Sequence, residues 1–291
     1  MEERWTIREV LSWTCSYFRR AGIAAARFEA EILLAQVLNQ DRLELYLHPD
    51  RRLTPEQRTS FRRLVKLRHG GTPLQYLTGA VEFYNCRLRV NGSALIPRPE
   101  TEQLVERVLT DRQGQPLGRT LDLGTGTGAI AIALALACPE AQLTACDSSV
   151  EALELAQENA MLNGVAERIV FQRSDWFAQL SGRFDLIISN PPYVSSEELA
   201  GLAPEVRCHE PTVALDGGAD GLECLRAIIA QAPCYLNPGG QLYLEIGFEQ
   251  AEAVQRLLEA SDGLSRPLIG EDLTGLPRFA CAQRAESLQE A

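Results

Sequence analysis

From Arg119 onward, short runs rich in Leu, Ile and Val alternate with helical stretches: TLDLG, a helix from Ala129 to Cys138, LTACD, a helix from Val150 to Leu162, RIVFQ, and FDLIIS. After a long loop come a helix around Leu222 to Ala232, the strand QLYLEIG and a helix from Glu249. Strands separated by helices return to the same sheet in parallel, so this rhythm predicts an α/β fold: a doubly wound, mostly parallel sheet with helices on both faces. Two short β-like pieces between Leu264 and Gln283 would close it with an antiparallel edge pair, giving a seven-stranded sheet. Ligands of such sheets lie beyond the carboxyl ends of the strands, which is where site residues are sought.

The chain ahead of this pattern reads differently. At 291 residues it exceeds the usual size of one domain, and residues 1–75 read as a small helical domain. Thr6 and Glu9 form a capping box ahead of Ile7, Val10, Leu11, Thr14 and Phe18 at helical spacing. A second helix is expected from Arg27 to Leu38 and a short one from Asp41 to Leu47. A fourth opens on Thr54, Pro55 and Gln57, and Gly70-Gly71 stops it. Its basic residues Arg58, Arg62, Arg63, Lys66 and Arg68 form either a partner face or a solvated surface. Residues 76–97 read as a β-hairpin linker, with Asn85 and Asn91-Gly92 as turn signals. Pro97 and Pro99 end it, and a helix carrying Leu104, Val105 and Val108 opens the third segment, 98–291.

Composition narrows the function classes. The net charge of −11 divides unevenly: residues 1–80 hold 13 Lys+Arg against 9 Asp+Glu, a balance of +4, leaving −15 for residues 81–291. An acidic catalytic portion repels a phosphate backbone, so a protein partner is expected rather than nucleic acid, although an acidic surface also serves plain solubility. The N-terminus lacks the apolar core of a signal peptide and no apolar run approaches a membrane span, so a cytoplasmic protein is expected. Eight scattered cysteines without a CxxC pair, beside three histidines, read as reduced thiols with no metal site.

Directly after the first parallel strand stands DLGTGTGAIA, Asp122 to Ala131. Gly124, Gly126 and Gly128, interleaved with Thr125 and Thr127, allow a sharp turn and a close approach of a cofactor to the backbone. The string also satisfies GxGxxA, so a dinucleotide remains an alternative to S-adenosylmethionine. Asp147 ends the second strand, 21 residues past Gly126, where a carboxylate can accept both ribose hydroxyls; it could instead cap the helix that follows. Asp175 and Trp176 follow the third strand, placed to take the amine and the ring of adenine, with plain burial of the indole as the competing account.

The fourth strand runs into SNPPYV. Pro191 and Pro192 lack N–H groups and fix their φ angles, so nearby carbonyls keep no local donors and lie on a rigid path. Asn190 adds a side-chain oxygen, Pro191 a backbone oxygen and Tyr193 an aromatic face. Two acceptors and a ring suit a planar NH2 group aimed at an electrophile. Oxidoreduction gives these residues no role; methyl transfer to an amide or aromatic amine gives each one a role. A turn without chemistry is the bland alternative.

These motifs, with GTPLQYLTGAVEF, EVRCHEP, ALDGGADGL, LNPGGQLYLEIG and above all LIPRPETEQLVE, make the chain resemble, over nearly its whole length, the HemK/PrmC family of S-adenosylmethionine-dependent protein-(glutamine-N5) methyltransferases. Cys208-His209 within EVRCHEP is the one departure from the familiar pattern. The resemblance implies a Rossmann-like methyltransferase domain that methylates the side-chain amide of the glutamine in the GGQ motif of peptide chain release factors. It implies cofactor contacts at Gly124 to Gly128, Asp147, Trp176 and Asn190, and a hold on the glutamine by Asn190, Pro191, Pro192 and Tyr193. Asp175 joins the cofactor set from the reading above. The small helical domain is expected to help dock the release factor, and a monomer is expected. The rival expectation is a methyltransferase acting on adenine N6 or guanine N2 of nucleic acid, which also uses NPPY.

Overall fold

The computed structural model describes residues 5–285. By its contacts the chain forms two units, Met1–Gly79 with Pro204–His209, and Ala80–Ala203 with Glu210–Ala291. The first holds helices α1 (Ile7–Arg20), α2 (Ala26–Leu38), α3 (Glu44–Leu47), α4 (Pro55–His69) and α5 (Leu74–Thr78). Both expected capping boxes form, Thr6 with Glu9 and Thr54 with Gln57, each satisfying two backbone donors that a helix start leaves free. Their buried faces close one core, with Ile7, Leu11, Phe18, Leu33, Leu34, Phe61 and Val65 at its centre.

Arg68 departs from the basic face expected of α4. It is buried, its Nε donates to Glu29, and its Nη1 lies 2.8 Å from Glu205 of the Pro204–His209 helix, which clusters with this unit. A guanidinium removed from water needs paired carboxylates, and here two supply them.

The second unit opens with the hairpin β1 (Ala80–Phe83) and β2 (Cys86–Arg89). Its turn is Tyr84-Asn85, with Tyr84 at φ +50°; Asn91-Gly92 lies beyond it. There follow α6 (Pro99–Asp111), β3 (Arg119–Leu123), α7 (Ala129–Ala137), β4 (Gln142–Asp147), α8 (Val150–Leu162), β5 (Ile169–Arg173) and β6 (Phe184–Ser189). After α9 (Pro204–His209) come α10 (Glu223–Tyr235), β7 (Leu236–Glu245), α11 (Ala251–Glu259), β8 (Leu264–Glu271) and β9 (Pro277–Arg284). The seven strands lie in the order β5-β4-β3-β6-β7-β9-β8, with β9 antiparallel to both of its neighbours and the rest parallel.

Alternate residues of the central strands feed two cores, as a period of two requires. Leu186 and Ile188 face α6, α7 and the hairpin, while Ile187 faces α10 and α11; Phe184 joins Ile187's core because the register against β7 shifts between Phe184 and Leu186. The chain winds from β3 through β4 to β5, then crosses to β6 on the other flank of β3, so the winding reverses between β3 and β6. Such a reversal opens a crevice beyond the strand ends. Among the described residues no helix is long and apolar enough to cross a membrane.

Candidate active site

The two strands that flank the crevice, β3 and β6, are paired along their length, and a side chain extends that pairing to the rim. Ser189, the last residue of β6, donates its hydroxyl to the Leu123 carbonyl at the end of β3, 2.5 Å away. The next residues are Gly124 on one strand and Asn190 on the other, so the glycine loop and the NPPY turn leave adjacent strands at the same rim.

The glycine loop is tied down by its own amides. Gly124 and Thr125 donate to the Cys146 carbonyl at 2.9 and 2.8 Å, Gly128 donates to Thr125, and Gly126 donates to Asp147 Oδ2 at 2.9 Å. Those four N–H groups are therefore spent within the protein and are not free to cradle a phosphate. Gly126 at φ +56° and Gly128 at φ +82° take a conformation that costs a side chain strain. At Gly128 space also runs out, because a Cβ would sit 3.0 Å from Ile132 and 3.1 Å from Ala156.

Asp147 accepts from Ser149 N–H on its other oxygen, at 3.0 Å, while the cap of α8 is the Ser149 hydroxyl, which accepts from Ala152 N–H. Asn159, fully buried on α8, holds the loop from behind. Its Nδ2 donates to the Thr127 and Arg89 carbonyls at 2.9 and 3.0 Å, and its Oδ1 accepts from Arg89 N–H at 2.7 Å, joining loop to hairpin. Asp122, fully buried at the start of the loop, accepts on Oδ2 from the Thr125 hydroxyl and Ala131 N–H, while its Oδ1 has no partner. Burial pushes its carboxyl up to about 7, against those two hydrogen bonds.

At the end of β5 the chain turns sharply through Asp175 and Trp176. Trp176 sits at φ +46°, a region indoles rarely visit, and the Ser174 hydroxyl holds its carbonyl at 2.6 Å. Asp175 is exposed, and Trp176 is half-buried beside the core that backs the sheet.

On the opposite side, Asn190 Nδ2 donates to Thr101 Oγ1 at 2.9 Å. Thr101, in the first turn of α6, donates to Glu245 Oε2 at 2.6 Å, and Tyr193 donates to Glu245 Oε1 at 3.1 Å. Glu245, the last residue of β7, is wholly buried; burial pushes its carboxyl up to about 7, opposed by its bonds from Thr101 and Tyr193 and by Arg278. The Tyr193 carbonyl accepts from Gln250 Nε2 at 2.9 Å. Nearby, buried Glu210 of EVRCHEP accepts from Ile96 N–H at 3.0 Å and from Arg98, pinning the segment before α6.

One cavity lies between these groups. It is lined by Gly124, Thr125, Gly126, Thr127, Asp147, Asp175, Trp176, Asn190 and Pro192, together with Thr101, Pro97 and Val213 among others. Gly128, Pro191 and Tyr193 are not in its lining: Gly128 faces α7 and α8, Pro191 is buried, and the Tyr193 hydroxyl is turned to Glu245. Two carboxylates and no Lys or Arg line it, which favours a cationic ligand over an anionic one.

Thr101, Asp122, Asn159 and Glu245 were not singled out from the sequence. Asp122 opens the glycine string, Thr101 stands inside IPRPETE and Glu245 inside LEIG, so the strings marked them without giving their roles. Asn159 left one trace, a polar residue between Ala156 and Ala160 on the apolar side of its helix.

Comparison with known proteins agrees with the geometry. A family model described as the PrmC N-terminal domain matches residues 9–79, and one described as the methyltransferase small domain matches residues 100–205. Among solved structures, a T. thermophilus 16S rRNA methyltransferase in complex with AdoMet and guanosine superposes with TM-score 0.50 at 20% identity, over 70% of this chain and 49% of that one. The hMettl16 catalytic domain does so with TM-score 0.53 at 15% identity, over 81% of this chain and 84% of that one. Both likenesses concern the fold. A Release factor glutamine methyltransferase of Geobacter sulfurreducens is 43% identical over 277 residues, 95% of this chain and 96% of that one. One of Cereibacter sphaeroides is 45% identical over 263 residues, 90% of this chain and 93% of that one. With matches of that identity running from the N-terminal helices through the sheet, this chain belongs to the family of release factor glutamine methyltransferases.

Proposed function

We propose that this chain transfers a methyl group from S-adenosylmethionine to the side-chain amide nitrogen of the glutamine in the GGQ motif of peptide chain release factors. The observation that carries the reading is the polarity of Asn190. With Nδ2 committed to Thr101, the oxygen is the end of the amide left for a ligand, at the rim shared with the glycine loop.

The residues present fit the cofactor. Four of the loop amides are already spent, and the two lining carboxylates suit a ligand that carries positive charge better than a phosphate. Asp147 is proposed to take the ribose diol, Asp175 and Trp176 the adenine, and Gly124 to Thr127 to allow close backbone approach, with Gly128 shaping the loop behind them; all but Gly128 line the cavity. When bound, S-adenosylmethionine supplies an electrophilic methyl group on a positively charged sulfur.

What the chain adds is placement. An amide lone pair is conjugated, and a rotation barrier of about 18–20 kcal/mol gauges the resonance at stake. Two hydrogen bonds to a nitrogen that is becoming positive contribute roughly 1–3 kcal/mol each, which is too little alone. Alignment within a near-attack geometry contributes roughly 7–11 kcal/mol and carries more of the rate. Asn190 Oδ1 and the Pro191 carbonyl are proposed to take the two amide hydrogens, with Pro192 holding their path rigid and Tyr193 closing the side. The nitrogen becomes acidic only once methylated, so it can then lose its proton without a strong base. The N-terminal helical segment, 1–75, is proposed to dock the release factor, with 76–97 as the linker and 98–291 as the methyltransferase domain. A translation factor as substrate implies work in the cytoplasm.

The test is incubation of purified chain and S-adenosylmethionine with a release factor, followed by peptide mass measurement. A gain of one methyl on the GGQ glutamine is expected. Label appearing in RNA or DNA, with the release factor unmodified, would overturn the reading.

A further inference from the structure

We infer that Glu245 is a positioning residue for the transfer: through Thr101 it sets which end of the Asn190 amide faces the cavity, and it holds the Tyr193 hydroxyl with its second oxygen. The inference rests on the proposed role of Asn190.

An ionised carboxylate only accepts, and Glu245 accepts from Thr101 at 2.6 Å and from Tyr193 at 3.1 Å. A threonine hydroxyl has one hydrogen. Once that hydrogen points at Glu245, Oγ1 can only accept, and Asn190 must present Nδ2 to it, as it does at 2.9 Å. The oxygen of Asn190 is thereby turned to the other side. A half-turn of the same amide would exchange oxygen for NH2 and offer donors to a substrate that itself brings donors. The carboxylate thus gives the chain Glu245, Thr101, Asn190 its direction, from 144 positions away from Thr101 and 52 from Tyr193.

This direction depends on a proton. A protonated Glu245 can donate to Thr101, freeing the threonine hydrogen to turn toward Asn190 and permit the reversed amide. The ionisable groups facing Glu245 are Glu100 on α6, Tyr193 after β6 and Arg278 on β9, whose Nε lies 3.5 Å from Asp272. Burial outweighs the favourable partners and brings the carboxyl to about 7, so the chain's direction is firm above neutrality and relaxes below it.

The experiment uses full-length Glu245→Gln, Thr101→Val, Thr101→Ser and Asn190→Ala, with methylation of a release factor followed by single turnover and cofactor affinity by calorimetry. Thr101→Val is expected to slow transfer on the order of 30- to 100-fold with cofactor affinity changed less than about 3-fold, while Glu245→Gln, whose Oε1 can still accept from Thr101 as its Nε2 donates to the Tyr193 oxygen, is expected to slow it less. Thr101→Ser, which keeps the hydroxyl, should restore at least half the rate. The double variant Glu245→Gln/Thr101→Val should be no slower than Thr101→Val alone, because without the hydroxyl Glu245 no longer reaches Asn190. Independently of turnover, the Asn190 side-chain amide resonances of cofactor-free protein should shift with pH, with a midpoint near 7, and be flat in Glu245→Gln. If Glu245→Gln does not fold, the Thr101 pair and the wild-type titration carry the test. Near-wild-type transfer by Thr101→Val, or Asn190 resonances indifferent to pH, would sink the inference even where Asn190→Ala is inactive. Wild-type transfer by Asn190→Ala would instead remove the functional reading beneath it.

Discussion

The glycine loop after β3 and the asparagine-proline turn after β6 leave adjacent strands, yet they are held by opposite means. The loop is secured by main chain: its N–H groups reach the Cys146 carbonyl and Asp147, and Asn159 grips the Thr127 carbonyl from behind. The turn is secured by side chains, which converge on one buried carboxyl brought by β7 and on a threonine brought by α6. A loop bound by its backbone tolerates many side chains but few changes at glycine. A turn bound by side chains has the reverse sensitivity, and one lost hydroxyl or carboxyl can misdirect it.

Four experiments sharpen or break this contrast. The largest effect is expected for Asn190→Ala, which should lower methylation by about 100- to 1000-fold while cofactor affinity, governed by the loop, falls only a few-fold. Equal losses of both would mean that the two sides do not work separately.

Next is Asp122→Asn on the loop side. The Asp122 carboxyl is raised from 3.8 to about 7, so its contribution to stability is fully present below pH 3.8 and is lost as pH rises through 7. Relative to Asp122→Asn, the wild type should therefore lose on the order of 3 kcal/mol between pH 4 and pH 8. Denaturant unfolding at a series of pH values measures this, and a constant difference would contradict it.

Asn159→Ala should cost about 1–3 kcal/mol by stranding buried backbone groups of loop and hairpin, with cofactor affinity falling alongside. Glu158→Ala, one position earlier, removes an exposed ion pair with Arg89 and should shift unfolding by less than about 0.5 kcal/mol. If the two variants behave alike, Asn159 is not what holds the loop.

The same contrast explains what could be read from the sequence. Glycines at alternate positions after a strand announce a backbone that must turn through positive φ, and the strand-helix alternation announces the sheet that carries it. The rim shared by the loop and Asn190 followed from these. The support of Asn190 could not be derived this way, because Thr101 and Glu245 meet it from distant positions and a buried hydrogen-bond chain leaves no periodicity. Arg68 is hidden from the sequence for a similar reason: its carboxylate partners, Glu29 and Glu205, lie 39 and 137 positions away. The hairpin turn fell on Tyr84-Asn85 because register, not the Asn-Gly signal, decided which residues pair.

Pro204–His209 clusters with the N-terminal helices although its neighbours in sequence belong to the other unit. The polypeptide therefore passes between the units at three points, after Gly79, before Pro204 and after His209, instead of running through a single tether. No one cut yields two self-sufficient halves: a fragment starting at Ala80 would carry Glu205 away from Arg68, and an N-terminal fragment would keep a guanidinium built for two carboxylates with only Glu29 left to meet it.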